Sequence, residues 1–566
     1  MLTHPRRLFR TFPAVLAFAA CLGSVCGAKA AAPGAGGKIL NRIPADAQWF
    51  VVANDIGRMD HQFIQIEHTW RLPLGPGPIA SLVEAMNLNR HALDIHGSAA
   101  LIQMPSKNRQ PAAMAASCVY LIPCTHLKHL FLNNRLSRHR GGLFRLMRGN
   151  SLIAWVAQRG RYVVGALGRR TLKAYLAAAD SWTDKLSTSE VAALGRPGIC
   201  VLFNAAATRK FSRQSADGAI DRLKTQIAIS KKSKILILPF VYALYTESDL
   251  VEQTNAVLLV ARPHSHGLSF HAFINFQKHS AAAALLPSFP MLGARPLAGL
   301  PDTRFTVAGA MATNPQALRA WFESFNSYTS KADPAMGHSQ SEFLKPWLAA
   351  LRGLSHPVTR SLVMLPINMN KPPVFHAVSI STSADMANHF RAHRHNLLAL
   401  AKSCTAMMKA KGLQLKSFQA KSARNIAGVP FSTFTIRMAP MKPGVPGGFY
   451  RRNAQKMERV VVIGTHGLHV ESGLLGHHLI SGANVKSTVL AATVANLRNN
   501  RDPLDRAPAV RAMRKYMLEK YFFVAFSPWV AISARSRGPV LHVKAYVPAA
   551  SLQHLARMIR MRMLQQ

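Results

Sequence analysis

Asp55, Asp60 and His61 lie close together in the segment IPADAQWFVVANDIGRMDHQF, residues 43–63. Carboxylates beside an imidazole are the raw material of acid–base catalysis or of a metal site. The spacing does not support either. In HQFIQIEH, residues 61–68, an HExxH zinc helix would need a glutamate where Gln62 stands and a histidine where Gln65 stands. The reversed HxxEH pattern would need a histidine at Ile64. A second cluster, PHSHGLSFH, places His264 and His266 in a turn and His271 on the strand that follows, so three imidazoles could converge on a metal. A matching turn late in the chain reads RSRG, with arginines in their place. Cys124, His126 and His129 form half of a zinc set, and His466, His469, His477 and His478 lack cysteine or carboxylate partners. The chain has no GxSxG elbow, no SxxK, no GxxxxGK[ST] and no GxGxxG. The expectation is therefore no catalytic, cofactor-binding or metal-binding residue. Asn54 and Asp55 are read as helix-start residues that cap backbone amides.

Charge is the strongest chemical signal. Seventy Lys and Arg face 24 Asp and Glu, a formal +46. Such a surface attracts polyanions through a field of several kT. Scarce carboxylates also fit life in acid, where protonation of paired carboxylates unfolds proteins, although 24 histidines would add charge there. The basic residues are spread along the chain, which disfavours a dedicated nucleic-acid arm. Two clusters stand out. RLSRHRGGLFRLMR carries Arg135, Arg138, Arg140, Arg145 and Arg148, the candidate anion-binding residues; MKAKGLQLKSFQAKSAR carries Lys409, Lys411, Lys416, Lys421 and Arg424. Neither has aromatics interleaved as a single-strand stacking platform requires, so no specific nucleic acid is expected.

The first thirty residues predict export. Arg6, Arg7 and Arg10 precede the apolar run AVLAFAACLGSVCGA, and Ala28 and Ala30 occupy the small-residue positions of a signal-peptidase site, with cleavage between Ala30 and Ala31. Lipoprotein processing at Cys21 is the minor alternative. The run is short for a membrane span. Removing Arg6, Arg7, Arg10 and Lys29 takes the formal charge from +46 to +42. Export implies an oxidising compartment, yet only Cys118, Cys124, Cys200 and Cys404 remain, too few for a disulfide framework. Cys118 and Cys124 flank the strand-like VYLIP and cannot pair across a straight strand.

The elements that must hold these groups read as a design used twice. ARPHSHGLSFHAFINFQ pairs with ARSRGPVLHVKAYVP, which sets His271 opposite His542; both alternate with period two after a β-rich run and a glycine turn. IPADAQWFVVAND pairs with LPDTRFTVAGAMATNP, where Asn314 is a good N-cap and Pro315 suits the first helical position. CVYLIPCTHLKHLF pairs with VFHAVSISTSADMANHF, and SLIAWVAQRGRYVVGAL with RVVVIGTHGLHVESG, a hairpin with Gly160 or Gly467 in its turn. These IPAD and LPDT openings and closing strands resemble an exported bacterial family of unknown function whose members begin with a Leu-Pro-Ala-Asp-Thr phrase. The resemblance implies a signal peptide and a repeated α+β architecture, and carries no catalytic residue.

The expected layout is a signal peptide at 1–30, a linker at 31–41, a first α+β lobe at 42–290 and a second at 291–566: two tandem similar lobes of mainly antiparallel sheet flanked by helices. A long helix is expected at about 384–411, and a last helix, SLQHLARMIRMRMLQQ, docking on the second lobe. The expected function is non-enzymatic: an exported cell-envelope protein, periplasmic or extracellular, that binds an anionic envelope polymer or lipid surface or acts structurally. The alternatives are a periplasmic carrier of an apolar ligand and an unrecognised hydrolase.

Overall fold

Alternating apolar and polar residues, punctuated by glycine turns, become strands in the computed structural model. It describes residues 39–70, 77–106, 111–132, 134–196, 198–209, 248–264, 266–332, 354–366, 376–388, 415–438 and 468–564, with isolated helical positions between them. The leader, its cleavage site at Ala30 and Ala31, the linker, Cys21, Cys404, His466, Lys409, Lys411 and most of the expected 384–411 helix lie outside the described residues. Helices and largely antiparallel strands are mixed, as an α+β fold requires. The chain divides into two compact units. The first comprises residues up to Ser212 with Thr254–Asn275 and His542–Gln566; the second comprises Arg213–Gln253 and Phe276–Leu541.

In the first unit the strands are β1 (Trp49–Asn54), β2 (Ala99–Gln103), β3 (Cys118–Pro123), β4 (Arg135–Arg138), β5 (Phe144–Arg148), β6 (Ser151–Arg159), β7 (Tyr162–Ala166), β8 (Gly198–Asn204), β9 (Thr254–His264) and β10 (Gly267–Phe276). They pair antiparallel in the order β4-β5-β6-β7-β3-β2-β1-β8-β9, and β10 follows β9. Helices α1 (Ile56–Trp70) and α2 (Pro78–Met86) cover one face, burying Ile56, Met59, Ile79 and Leu82 against Leu101, Tyr120, Ile122, Leu146 and Val156. Helix α3 (Arg169–Ala177) covers part of the other through Leu172 and Tyr175. Burial at about 25 cal/mol per Å² of apolar surface makes these two faces the main source of stability. Gly165 lies directly beneath the Tyr120 ring, where any Cβ would overlap it.

Backbone amides account for both Asp55 and Asp60. Asp55, at φ +50, accepts the Arg58 amide as a helix-start residue should. Asn54 does otherwise: its Nδ2 reaches the Leu194 carbonyl at 2.5 Å and Cys200 Sγ at 3.5 Å. Asp60 is buried and accepts the Ile79 amide at 2.9 Å, which ties α1 to α2.

The second unit contains β11 (Val307–Thr313), β12 (Val358–Met364), β13 (Ala377–Thr382), β14 (Leu415–Ile426), β15 (Val429–Met438), β16 (Leu468–Leu475), β17 (His478–Ala483), β18 (Phe523–Phe526) and β19 (Ala531–Arg537). Their antiparallel order is β14-β15-β16-β17-β13-β12-β11-β18-β19. Its helices include α4 (Ala281–Leu285), α5 (Pro315–Ala332) and α6 (Ser487–Arg498). Asn314 caps α5 by accepting the Gln316 and Ala317 amides, and Pro315 opens the helix.

Two expectations need correction. The hairpin aligned through Gly467 is instead β16–β17, with Gly476 at φ +55 in its turn, as Gly160 at φ +61 serves β6–β7. A two-residue hairpin turn needs that positive φ, and Gly476 supplies it; Gly467 lies outside the described residues. The C-terminal helix, Ala549–Leu564, belongs to the first unit and lies against α1, because β20 (Val540–Pro548) leads straight into it beside β10.

Candidate anion-binding site

The meander β4–β5–β6 ends the first unit's sheet, and its register decides which basic residues meet. Ser137 lies opposite Arg145, Arg145 opposite Trp155, and Trp155 opposite Ala166. Leu146, Ala154 and Val156 alternate onto the α1–α2 face and are buried there, so Arg145 and Trp155 emerge on the α3 face. Strand β7 leads within three residues into α3, whose first residue, Arg169, comes over the same indole.

The result is a tryptophan flanked by cations. Arg145 Cζ is 5.6 Å and Arg169 Cζ 5.4 Å from the Trp155 ring centroid. The His139 ring meets Trp155 edge-on at 5.1 Å, and Arg145 Nη2 donates to His139 Nδ1 at 3.3 Å. That bond leaves the neutral imidazole's proton on Nε2. Desolvation, and then the fields of Arg169, Arg145, Arg140 and Lys173, push the His139 pKa below its ordinary value. Among the described residues no acidic side chain pairs with Arg140, Arg145, Arg169 or Lys173. An exposed cation–π contact contributes about 0.5–1 kcal/mol, enough to orient a guanidinium while its N–H fork stays open. That fork matches phosphate, sulfate and carboxylate groups in bidentate fashion.

The five arginines expected to act together are only partly assembled. Arg145 reaches the indole, Arg140 is close enough for its field to act on His139, and strand alternation puts Arg135 on the same face. Arg138, next in the strand after Ser137, falls on the opposite face, and Arg148 donates to Asn134 Oδ1 at 3.3 Å. Sequence reading missed Trp155, His139, Arg169 and Lys173. The signal that could have found them is the hairpin register, which puts an aromatic directly opposite Arg145.

The other tempting clusters do not assemble around a common ligand. Among the described residues no group of three or more His, Cys, Asp or Glu could hold a metal ion. His271, buried on β10, meets His542, Nδ1 to Nε2 at 3.1 Å. His126 and His129 contact each other edge-on. His469 lies 3.9 Å from Glu471, and His478 Nδ1 meets the Thr382 hydroxyl at 2.9 Å. Ser355, His356 and Asp385 form a serine–histidine–aspartate cluster, but Asp385 accepts from both partners and the serine meets His356 through Nδ1, the nitrogen the aspartate already holds. A nucleophilic triad needs the serine on Nε2. Cys118 and Cys200 are buried, and burial pushes both thiols up to about 12, far from the thiolate that nucleophilic chemistry requires.

No family model, curated protein or solved structure matches the chain. No helix among the described residues is long and apolar enough to cross a membrane.

Proposed function

We propose that the chain is an exported, non-enzymatic cell-envelope protein of two similar α+β repeats that binds an anionic polysaccharide at the Trp155 corner of its first unit. The observation that carries the reading is the crowding of Arg140, Arg145, Arg169 and Lys173 around His139 and Trp155 with no described carboxylate partner. A sulfated or phosphorylated sugar polymer suits it, because its repeated acidic groups can take the guanidinium forks that the indole orients. The formal +46 adds long-range attraction. The leader-like first thirty residues and the resemblance of the IPAD and LPDT openings to an exported family support the envelope location. The repeat reading is supported by strand order: numbering each unit from its own first strand gives the same succession, with β1 answering to β11 and β9 to β19.

Heparin is the direct probe, with anionic lipid vesicles and single-stranded DNA as competing arms. Heparin affinity should fall steeply with salt and weaken when Arg145 and Arg169 are both replaced by alanine. Salt-insensitive binding, undiminished binding by the double variant, or stronger binding to vesicles or DNA would reject the reading.

A further inference from the structure

The first unit is completed by the end of the chain. Residues His542–Gln566 belong to it, although they lie far along the sequence from its other strands. The seat is specific. Tyr546 Oη and the Ala549 amide both donate to the His266 carbonyl, at 2.7 and 2.9 Å. His542 stacks on Phe273 with centroids 4.1 Å apart and 15° between planes, and meets His271 at 3.1 Å. Gly267 lies so close to the Val547 carbonyl and the Tyr546 hydroxyl that any side chain there would collide with them. These contacts run β20 antiparallel along β10 and cover what would otherwise be an open strand edge, a liability in any sheet. The C-terminal helix then lies against α1, the helix that opens the first unit.

In the second unit the reverse holds. Helix α4 directly follows β10, yet it lies against α5, the helix that follows β11. Short connections enforce both placements: β20 runs into the C-terminal helix without a linker, and only four residues separate β10 from α4. A helix so tightly joined must settle where its strand delivers it.

We infer that the two repeats exchange their closing helices, so that each unit contains, against its opening helix, the last helix of the other repeat. The arrangement is that of a segment-exchanged dimer whose two copies are joined in one chain. The contact surface at β10 and α1 is accordingly built for a copy of the repeat's own closing strand and helix. The inference rests on the repeat reading for which segment counts as exchanged, and is independent of anion binding.

A protease site inserted after Gly293, in the exposed stretch before Pro296, tests it in the otherwise intact chain. After cleavage the two pieces should co-elute as one species at the mass of the uncut protein and part only in urea. Removing residues 549–566, or the milder Gly267→Ala change, should shift that parting to lower urea. Pieces that separate on dilution alone overturn the inference, as does a urea midpoint that neither change moves. If the repeat reading fails while the exchange stands, the cut chain will still co-elute but an experimental structure of the two units will not superimpose.

Discussion

Count inward from the hairpin turn in each unit and stop at the fifth pair. In the first unit the position is Trp155 opposite Ala166, with Arg145 across the next strand and Arg169 opening the following helix. In the second it is Glu471 opposite Gly482, with Thr433 across the next strand and Ser487 opening α6. Both positions face the helix side, since a Cβ on Gly482 would meet Leu490 of α6. The chemistry is inverted. Glu471 is buried, with Arg424 Nη1 at 4.0 Å and His469 Nε2 at 3.9 Å, so that station holds its own counter-charge. The first unit places an aromatic there, and its cations meet no carboxylate among the described residues. One backbone pattern thus holds either a neutralised corner or a cluster of cations around an indole, and the choice turns on a few side chains.

The comparison can be broken most forcefully by copying one corner into the other. Trp155→Glu should lower heparin affinity by roughly 10- to 100-fold, because each charge-assisted contact contributes about 1.5–3 kcal/mol and the new carboxylate would engage Arg145 and Arg169. Calorimetric titration would show it, and an unchanged dissociation constant would place the binding elsewhere. The next station along the hairpin sharpens the contrast, since the second unit has Ser481 where the first has Gly165 beneath Tyr120. Gly165→Ser should cost about 1–3 kcal/mol through overpacking, measured by urea denaturation; a loss below about 0.5 kcal/mol would mean that Tyr120 moves freely aside.

Proton linkage gives a smaller effect. The His139 pKa lies below its ordinary value in the free protein, so the neutral imidazole is favoured. A bound anion offsets the surrounding cations and raises that pKa, so binding takes up a proton. Affinity should therefore grow as pH falls through the window between the free and bound values, and NMR titration of His139 should move upward when heparin is added. Without ligand the sign is opposite for stability: a base with a lowered folded pKa binds protons less well than in the unfolded chain, so this group weakens the fold as pH drops below about 6.5. The smallest change is expected from Glu471→Gln, which releases Arg424. Its side chain is 63% exposed, so the pair is screened and heparin retention should rise only about two- to threefold.

Much of this was legible in the chain. Period-two strands and the Asn314 and Asp55 caps follow from local rules that operate over a few residues. The Trp155 corner was not legible because no local rule brings Arg169 to Arg145; that needs the register of three strands and the docking of Leu172 and Tyr175. The second hairpin was misplaced for a related reason: two glycines, Gly467 and Gly476, both look like turns, and only the pairing of β16 with β17 selects between them. The destination of the last helix was hidden too, because sequence proximity to the second lobe says nothing about which sheet edge β20 will meet.

The long reach of the tail has a consequence for the order of events in a living cell. His271 and His542 are separated by 271 positions, and closing so distant a contact carries a large entropic cost and slows folding. A chain emerging amino end first cannot finish its leading unit until its final residues are out, so premature termination near the carboxyl end would injure the part of the molecule that was made earliest.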